Sequence, residues 1–299
     1  MKPSPDDSFA AGATYTLFSA VALSLSGLLG KIGGEQFSFF ALVFWRFFSA
    51  FLLCLFLLAS LGRLKVSAGA SNFKMNFFRS FLTLGSQGSF YYYIQTNSLF
   101  NGMTLLNTGP LFIPVIEWAI LRKHVGKSSW IAVIVCFLGV LCILQPDRTI
   151  FSYASLIGLS SGLFQGASQT LFDVTSKEER FDLGILILMF FCAAISFIPY
   201  LFSDATWEMG KGFSRSTLWL VLFLGIVSLL NQFTRAAAYR KATPSRVSPF
   251  LYFSVPFAGL FDWFMFGTLP NLLSVIGMIL VIGGGLLKIY LRRKILEKK

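Results

Sequence analysis

Two acid–tryptophan dipeptides stand inside stretches that otherwise read as hydrocarbon: Glu117–Trp118 in IPVIEWAI (113–120) and Asp262–Trp263 in AGLFDWFM (258–265). A carboxylate at membrane depth is costly unless it is paired, hydrated or used. It can hold a proton, pair with a cation or, beside an aromatic face, receive a cationic group of a ligand. Adjacent residues on a helix point about 100° apart, so the acid and the indole cannot both face one ligand. Two arginines share the depths of these acids. Arg46 lies near the level of Asp262, and Arg235 near that of Glu117. Two alternating gate pairs are therefore expected, Arg46 with Asp262 and Arg235 with Glu117. For Arg235 and Glu117 the plainer alternative is snorkelling at helix ends.

Uncharged polar residues at depth add a second set. Gln87 and Gln232 fall near mid-span and are the leading candidates for substrate contact; the alternative is a mutual interhelical hydrogen bond. Tyr91, Asn107, Gln165 and Gln169 join them, and Trp118 and Trp263 complete the candidate substrate-binding group. Polar side chains at depth face a bundle interior rather than lipid. Arg46, Glu117, Arg235 and Asp262 form the gating or coupling group. His124 is the only histidine, which removes most histidine-based metal sites and catalytic triads. No catalytic residue, metal or cofactor is assigned.

The elements that must carry these residues follow from composition. The chain is 55% hydrophobic and only 13% charged, about half the charge of a soluble domain. A transmembrane helix needs about 20 apolar residues. Ten such runs can be laid down: 13–30, 38–61, 76–97, 102–121, 128–145, 151–173, 183–202, 215–239, 244–266 and 271–291. They are too long and too evenly apolar for barrel strands. Backbone groups in lipid must bond within their own segment, so the runs predict helices and an all-α integral membrane fold. Cys54, Cys136, Cys142 and Cys192 fall inside these runs, as small apolar fillers. The short polar N-terminus predicts no cleavable leader.

Orientation follows from the cations. The net charge is +12, but its placement argues against nucleic acid. With the N-terminus in the cytoplasm, about 19 Lys and Arg fall on the inner side, including Arg63, Lys74, Arg79 and the C-terminal cluster, against about 4 outside, Lys31 among them. That bias fits the positive-inside rule for ten spans with both termini cytoplasmic in a bacterial-type inner membrane.

Sliding the chain against itself by about 145 residues superimposes Glu117–Trp118 on Asp262–Trp263, Gln87 on Gln232, Phe112 on Phe257 and Gly139 on Gly284. The halves divide at 1–148 and 149–299, five spans each. Five is odd, so the second half enters the membrane inverted. Inverted repeats place a substrate site near the midplane between the halves and favour two related states. Prolines accompany the acids in both halves: Pro110 and Pro114 in the fourth span, Pro249 and Pro256 in the ninth, each expected to kink its helix. Gly158, Gly162 and Gly166 recur at i+4 in the sixth span, either for close packing or as a face that rocks.

Ten spans in two halves, with FWRFF at 44–48, NTGPLFIPVIEW at 107–118 and the Gly-rich GMILVIGGGLL at 277–287, resemble the drug/metabolite transporter superfamily of EamA type. The resemblance implies a central cavity lined by helices 1, 3, 4, 6, 8 and 9, and transport of small metabolites. The Gly-Glu that such proteins often carry after spans 4 and 9 is replaced here by LRKHV and FGTLP, which leaves Glu117 and Asp262 to fill its place.

The leading reading is a secondary transporter using alternating access. Its cargo would be an amino acid or related small metabolite, and the acid–aromatic pairs would suit a sulfonium such as S-adenosylmethionine. The alternatives are a lipid flippase, a membrane-embedded enzyme or a receptor subunit. An enzyme would need a nucleophile or metal set at depth, which the sequence does not supply, and no phosphate-binding Walker motif appears. The expected partners are a small-molecule substrate and the bilayer, in a monomer or homodimer.

Overall fold

The structure, a computed structural model, describes residues 5–64, 73–109, 111–112, 127–144, 153–175, 180–203, 214–241 and 248–296. Glu117, Trp118, Pro110, Pro114 and His124 lie outside the described residues. Ten α-helices occur among those described: α1 Pro5–Gly33, α2 Phe39–Ser60, α3 Phe73–Thr96, α4 Leu99–Leu106, α5 Lys127–Leu144, α6 Tyr153–Thr175, α7 Phe181–Leu201, α8 Arg215–Lys241, α9 Ser254–Phe266 and α10 Leu272–Leu296. Phe9–Gly33, Phe39–Ser60, Phe181–Leu201 and Arg215–Lys241 are long and apolar enough to cross a membrane. Between them α3 and α6 have the length, but their Ser, Thr, Gln and Arg residues lower the hydropathy. Large apolar side chains are exposed around the outside, among them Phe56, Phe81, Phe264 and Leu272. That is the surface of a multi-pass membrane protein, with lipid in place of water around it.

Helix ends follow local chemistry. Ser38 caps α2, its Oγ accepting from Ala41 N–H, and Ser98 caps α4 in the same way through Asn101 N–H at 3.2 Å. α9 ends at Gly267, whose φ of 64° is a left-handed conformation that a side chain would strain. The ninth span differs from the expected continuous kinked helix. It divides into a 3-10 segment, Ser248–Phe253, followed by α9. Pro256 falls in the first turn of α9, where a missing N–H breaks no helical bond, so the proline starts a helix rather than bending one.

Helix packing has a regular plan. α1 packs on α8, and α3 on α6; α2 packs on α8, and α7 on α3; α1 packs on α9, and α6 on α4. The pairs α2–α7, α4–α9 and α5–α10 complete it. Exchanging every helix for the one five positions along returns these same nine pairs, the most extensive between the α-helices, whereas the smaller contacts α3–α4, α1–α3 and α1–α4 lack such counterparts among the described residues. Close approach is purchased with small residues. A side chain at Gly162 would collide with Thr108, and one at Gly30 with the ring of Tyr91. The Gly158–Gly162–Gly166 face of α6 lies against Leu105, Thr108 and Gly109, so it is a packed face here. Two apolar clusters flank the middle. One gathers Leu28, Phe90, Tyr93, Leu99 and Met103 from α1, α3 and α4. The other joins Phe47, Cys54, Leu188 and Cys192 of α2 and α7.

Candidate functional site

Between these clusters the packing leaves a polar cavity. α3 supplies Arg79, Thr83 and Gln87; α6 supplies Gln165, Ser168, Gln169 and Phe172; α8 supplies Ser228, Asn231, Gln232, Arg235 and Tyr239. Leu23 of α1, Arg46 and Phe47 of α2 and Met189 of α7 complete the lining. The cavity is narrow in this state. It runs from mid-bundle, where Arg46 and Gln87 are each 6% exposed, to the end where α6 and α8 finish and Gln169, Arg235 and Tyr239 are only half-buried. The lining differs from the set that the family resemblance implied. Helices α2 and α7 contribute, and no described residue of α4 or α9 does, because those two pack on each other beside the cavity.

The polar faces are built from helical spacing. Thr83, Ser86 and Gln87 occupy i, i+3 and i+4 on α3, one face of a helix. The 145-residue shift carries them onto Ser228, Asn231 and Gln232 of α8. Each set fastens its helix to a neighbour. Thr83 and Ser168 share a hydroxyl hydrogen bond at 2.9 Å, and Ser86 Oγ donates to Gln165 Oε1 at 3.1 Å. Asn231 Nδ2 donates to the Ser19 carbonyl at 2.8 Å and to its Oγ at 3.1 Å. The alternative of a mutual Gln87–Gln232 hydrogen bond is not realised. Gln87 Oε1 accepts from Arg46 Nη1 at 2.7 Å, and Gln232 Oε1 accepts from Arg235 Nη2 at 3.0 Å. Each amide therefore presents a carbonyl oxygen to a guanidinium.

Arg46 is the junction of three helices. Its Nε donates to Ser228 Oγ at 2.9 Å, its Nη1 to Gln87, and its guanidinium lies 4.8 Å from the Tyr91 ring centroid. Arg79, counted from sequence among the inner-surface cations, is instead buried in the cavity wall with its guanidinium 4.2 Å from the Phe172 ring.

The far end of the bundle holds a buried ion pair. Lys31 Nζ of α1 meets Asp262 Oδ1 of α9 at 3.0 Å, with Asp262 1% exposed. Asp262 Oδ2 accepts the Phe100 N–H in the first turn of α4 at 2.8 Å, and a carboxylate at a helix N-terminus is favourably placed. Lys31 also lies 4.3 Å from the Phe266 ring centroid. Beneath this latch Tyr91 Oη bonds Ser26, Asn107 Nδ2 donates to Ser254 Oγ at 2.8 Å, and Ser24 Oγ donates to the Ser254 carbonyl. The expected Arg46–Asp262 pair is therefore corrected. Asp262 takes Lys31, and Arg46 takes two neutral partners across the bundle. Arg235 has Gln232, while its expected partner Glu117 lies outside the described residues.

Three more expectations are relocated. Trp263 does not line the cavity. With Asp262 pointing inward, the next residue turns about 100° away, and Trp263 is 50% exposed against Phe264. Asn107 is tied to α9 and sits at that far end. Tyr91 lies behind Arg46 rather than in the wall. Among the residues that sequence reasoning missed are Lys31, Arg79, Thr83 and Ser228. The recurrence of the i, i+3, i+4 polar face in both halves was the signal that would have found Thr83 and Ser228. Among the described residues no cluster of metal-ligating side chains forms.

The EamA-like transporter family matches residues 10–145 and 152–290 of the chain. A riboflavin transporter of Vibrio cholerae is 31% identical over 173 residues, 58% of this chain and 56% of that protein, so the match spans little more than half of that relative. An S-adenosylmethionine uptake transporter of Rickettsia bellii is 20% identical over 291 residues, 97% of each chain. A pseudopaline exporter of Pseudomonas aeruginosa is 26% identical over 204 residues, 64% of this chain and 66% of that one. One solved crystal structure superimposes with a TM-score of 0.62 at 14% identity, covering 97% of this chain and 99% of that one, a likeness of fold.

Proposed function

Because the chain belongs to the EamA-like transporter family, we propose that it is a secondary transporter that carries a small polar metabolite across a bacterial-type inner membrane by alternating access. The observation that carries the proposal is the polar cavity between the halves, reached from one end of the bundle, with the buried Lys31–Asp262 pair as a latch at the other. The paired polar faces of α3 and α8 support an inverted repeat with its binding site at the interface. In this reading the ten helices are ten spans, both termini are cytoplasmic and the cavity faces the cytoplasm.

Gln87 and Gln232, with Gln165 and Gln169, contact the cargo. Cargo binding at Gln87 competes with Arg46 for the same amide, and that competition couples occupancy to the α2–α3–α8 junction. Opening of the far side requires the Lys31–Asp262–Phe100 latch to part, while α3 and α8 close over the cavity. The relatives are named as carriers of chemically diverse small metabolites, which supports a carrier over an enzyme.

The test is counterflow in proteoliposomes with radiolabelled riboflavin, riboflavin 5′-phosphate, succinate, S-adenosylmethionine and amino acids, with and without a proton gradient. Trans-stimulated uptake of unmodified cargo, reduced at least about tenfold by Gln87→Ala or Gln232→Ala, is the expected result. Well-folded protein without flux of any of these, or flux indifferent to both substitutions, refutes the site as assigned.

A further inference from the structure

The described lining of the cavity is cationic. Arg46, Arg79 and Arg235 all line it, and no described carboxylate does. The two described ion pairs, Lys31–Asp262 and Arg180–Asp182, lie elsewhere. Arg46 and Arg235 are held by neutral groups only. Ser228 and Gln87 occupy Nε and one hydrogen of Nη1 on Arg46, and its Nη2 edge bonds no described residue. Arg235 commits only Nη2, to Gln232. Neutral partners fix the direction of a guanidinium and leave its charge uncompensated. A guanidinium is a planar fork that fits carboxylate and phosphate oxygens in pairs. Unneutralised charges of one sign around a cavity between low-dielectric walls concentrate ions of the other sign there. Thr83 and Gln87 of the wall recur as Ser228 and Gln232, but Gln165 and Ser168 of the second half fall on Ala20 and Leu23, and the arginines do not recur either. The 145-residue shift places Phe191, Leu224 and Phe90 opposite Arg46, Arg79 and Arg235. The positive charge is thus an addition to the repeated scaffold.

We propose that the cargo is a small organic anion, whose carboxylate or phosphate oxygens are received by Arg46 and Arg235 with the amides of Gln87 and Gln232 alongside. The inference rests on the transporter reading above and specifies its substrate class. It replaces the cationic sulfonium suggested by the acid–tryptophan pairs. The one such pair among the described residues, Asp262–Trp263, places its carboxylate in the latch and its indole outside, so neither faces the cavity. A cargo with a net positive charge would meet the like charges of Arg46 and Arg235.

The test uses the full chain and probes matched in shape but not in charge: riboflavin against riboflavin 5′-phosphate, and succinamide against succinate, with S-adenosylmethionine as the cation. Binding is read as a shift in melting temperature in detergent, and transport as uptake into proteoliposomes. The expected result is stabilisation and uptake by an anionic member and not by its neutral counterpart, with apparent affinity falling about tenfold or more in Arg235→Gln and retained in part by Arg235→Lys. Arg235 is half-buried, so its variants serve if Arg46→Gln does not fold. Uptake of the neutral or cationic probes with the anions inert overturns the anion inference and leaves the carrier reading standing. Anion binding without uptake does the reverse. Indifference to every probe overturns the inference as stated.

Discussion

Asp262→Asn is the sharpest perturbation of the far end. The substitution keeps the shape of the side chain and an oxygen for the Phe100 N–H, and removes only the charge that faces Lys31. Breaking a buried ion pair by neutralising one partner costs about 3–5 kcal/mol, because the other charge is left behind. Lys31 retains 16% exposure and can recover some hydration, which places the expected loss lower, at about 2–3 kcal/mol. If the latch holds the closed state, the population open at that end rises by about 30- to 150-fold. The assay is the labelling rate of a cysteine placed under the latch, Ser26→Cys, by a membrane-impermeant maleimide, with the native cysteines replaced. Ser26 is 1% exposed, so labelling requires opening. An apolar replacement of the pair, Lys31→Met with Asp262→Leu, leaves no orphaned charge and is expected to return labelling toward the parent rate. A rate within about threefold of the parent in Asp262→Asn, against the population arithmetic above, would show that the pair is not a latch.

Other consequences follow from the same geometry. Gly30→Ala drives a methyl into Tyr91, which stands behind Arg46, and is expected to lower stability by about 1–3 kcal/mol in thermal unfolding. Asn231→Ala removes the two side-chain bonds to Ser19 that help hold α8 on α1, leaving only the Ser19 hydroxyl on the main-chain carbonyl; a loss of about 1–3 kcal/mol is expected in the same assay. Trp263→Ala is expected to leave uptake unchanged and to alter stability by less than about 0.5 kcal/mol, since the indole lies outside the cavity. Reduced uptake in that variant would return Trp263 to the site.

The chain alone determined its solvent and its helices. An apolar content of 55% with scarce charge leaves helices as the economical way to satisfy the backbone in lipid. It also carried the internal repeat, and of the polar residues it marked at depth Gln87, Gln165, Gln169 and Gln232 reach the cavity wall, while Tyr91 and Asn107 do not. Depth was legible because distance along a helix is proportional to residue number. Lateral neighbours were not. A soluble helix announces its buried face by amphipathic spacing, whereas a helix between protein and lipid is apolar on both sides and gives no such bearing. So the sequence put Arg46 and Asp262 at one level and paired them. Only the tertiary structure turned Arg46 toward Gln87 and Ser228, brought Lys31 to Asp262, and moved Arg79 from the surface into the cavity wall.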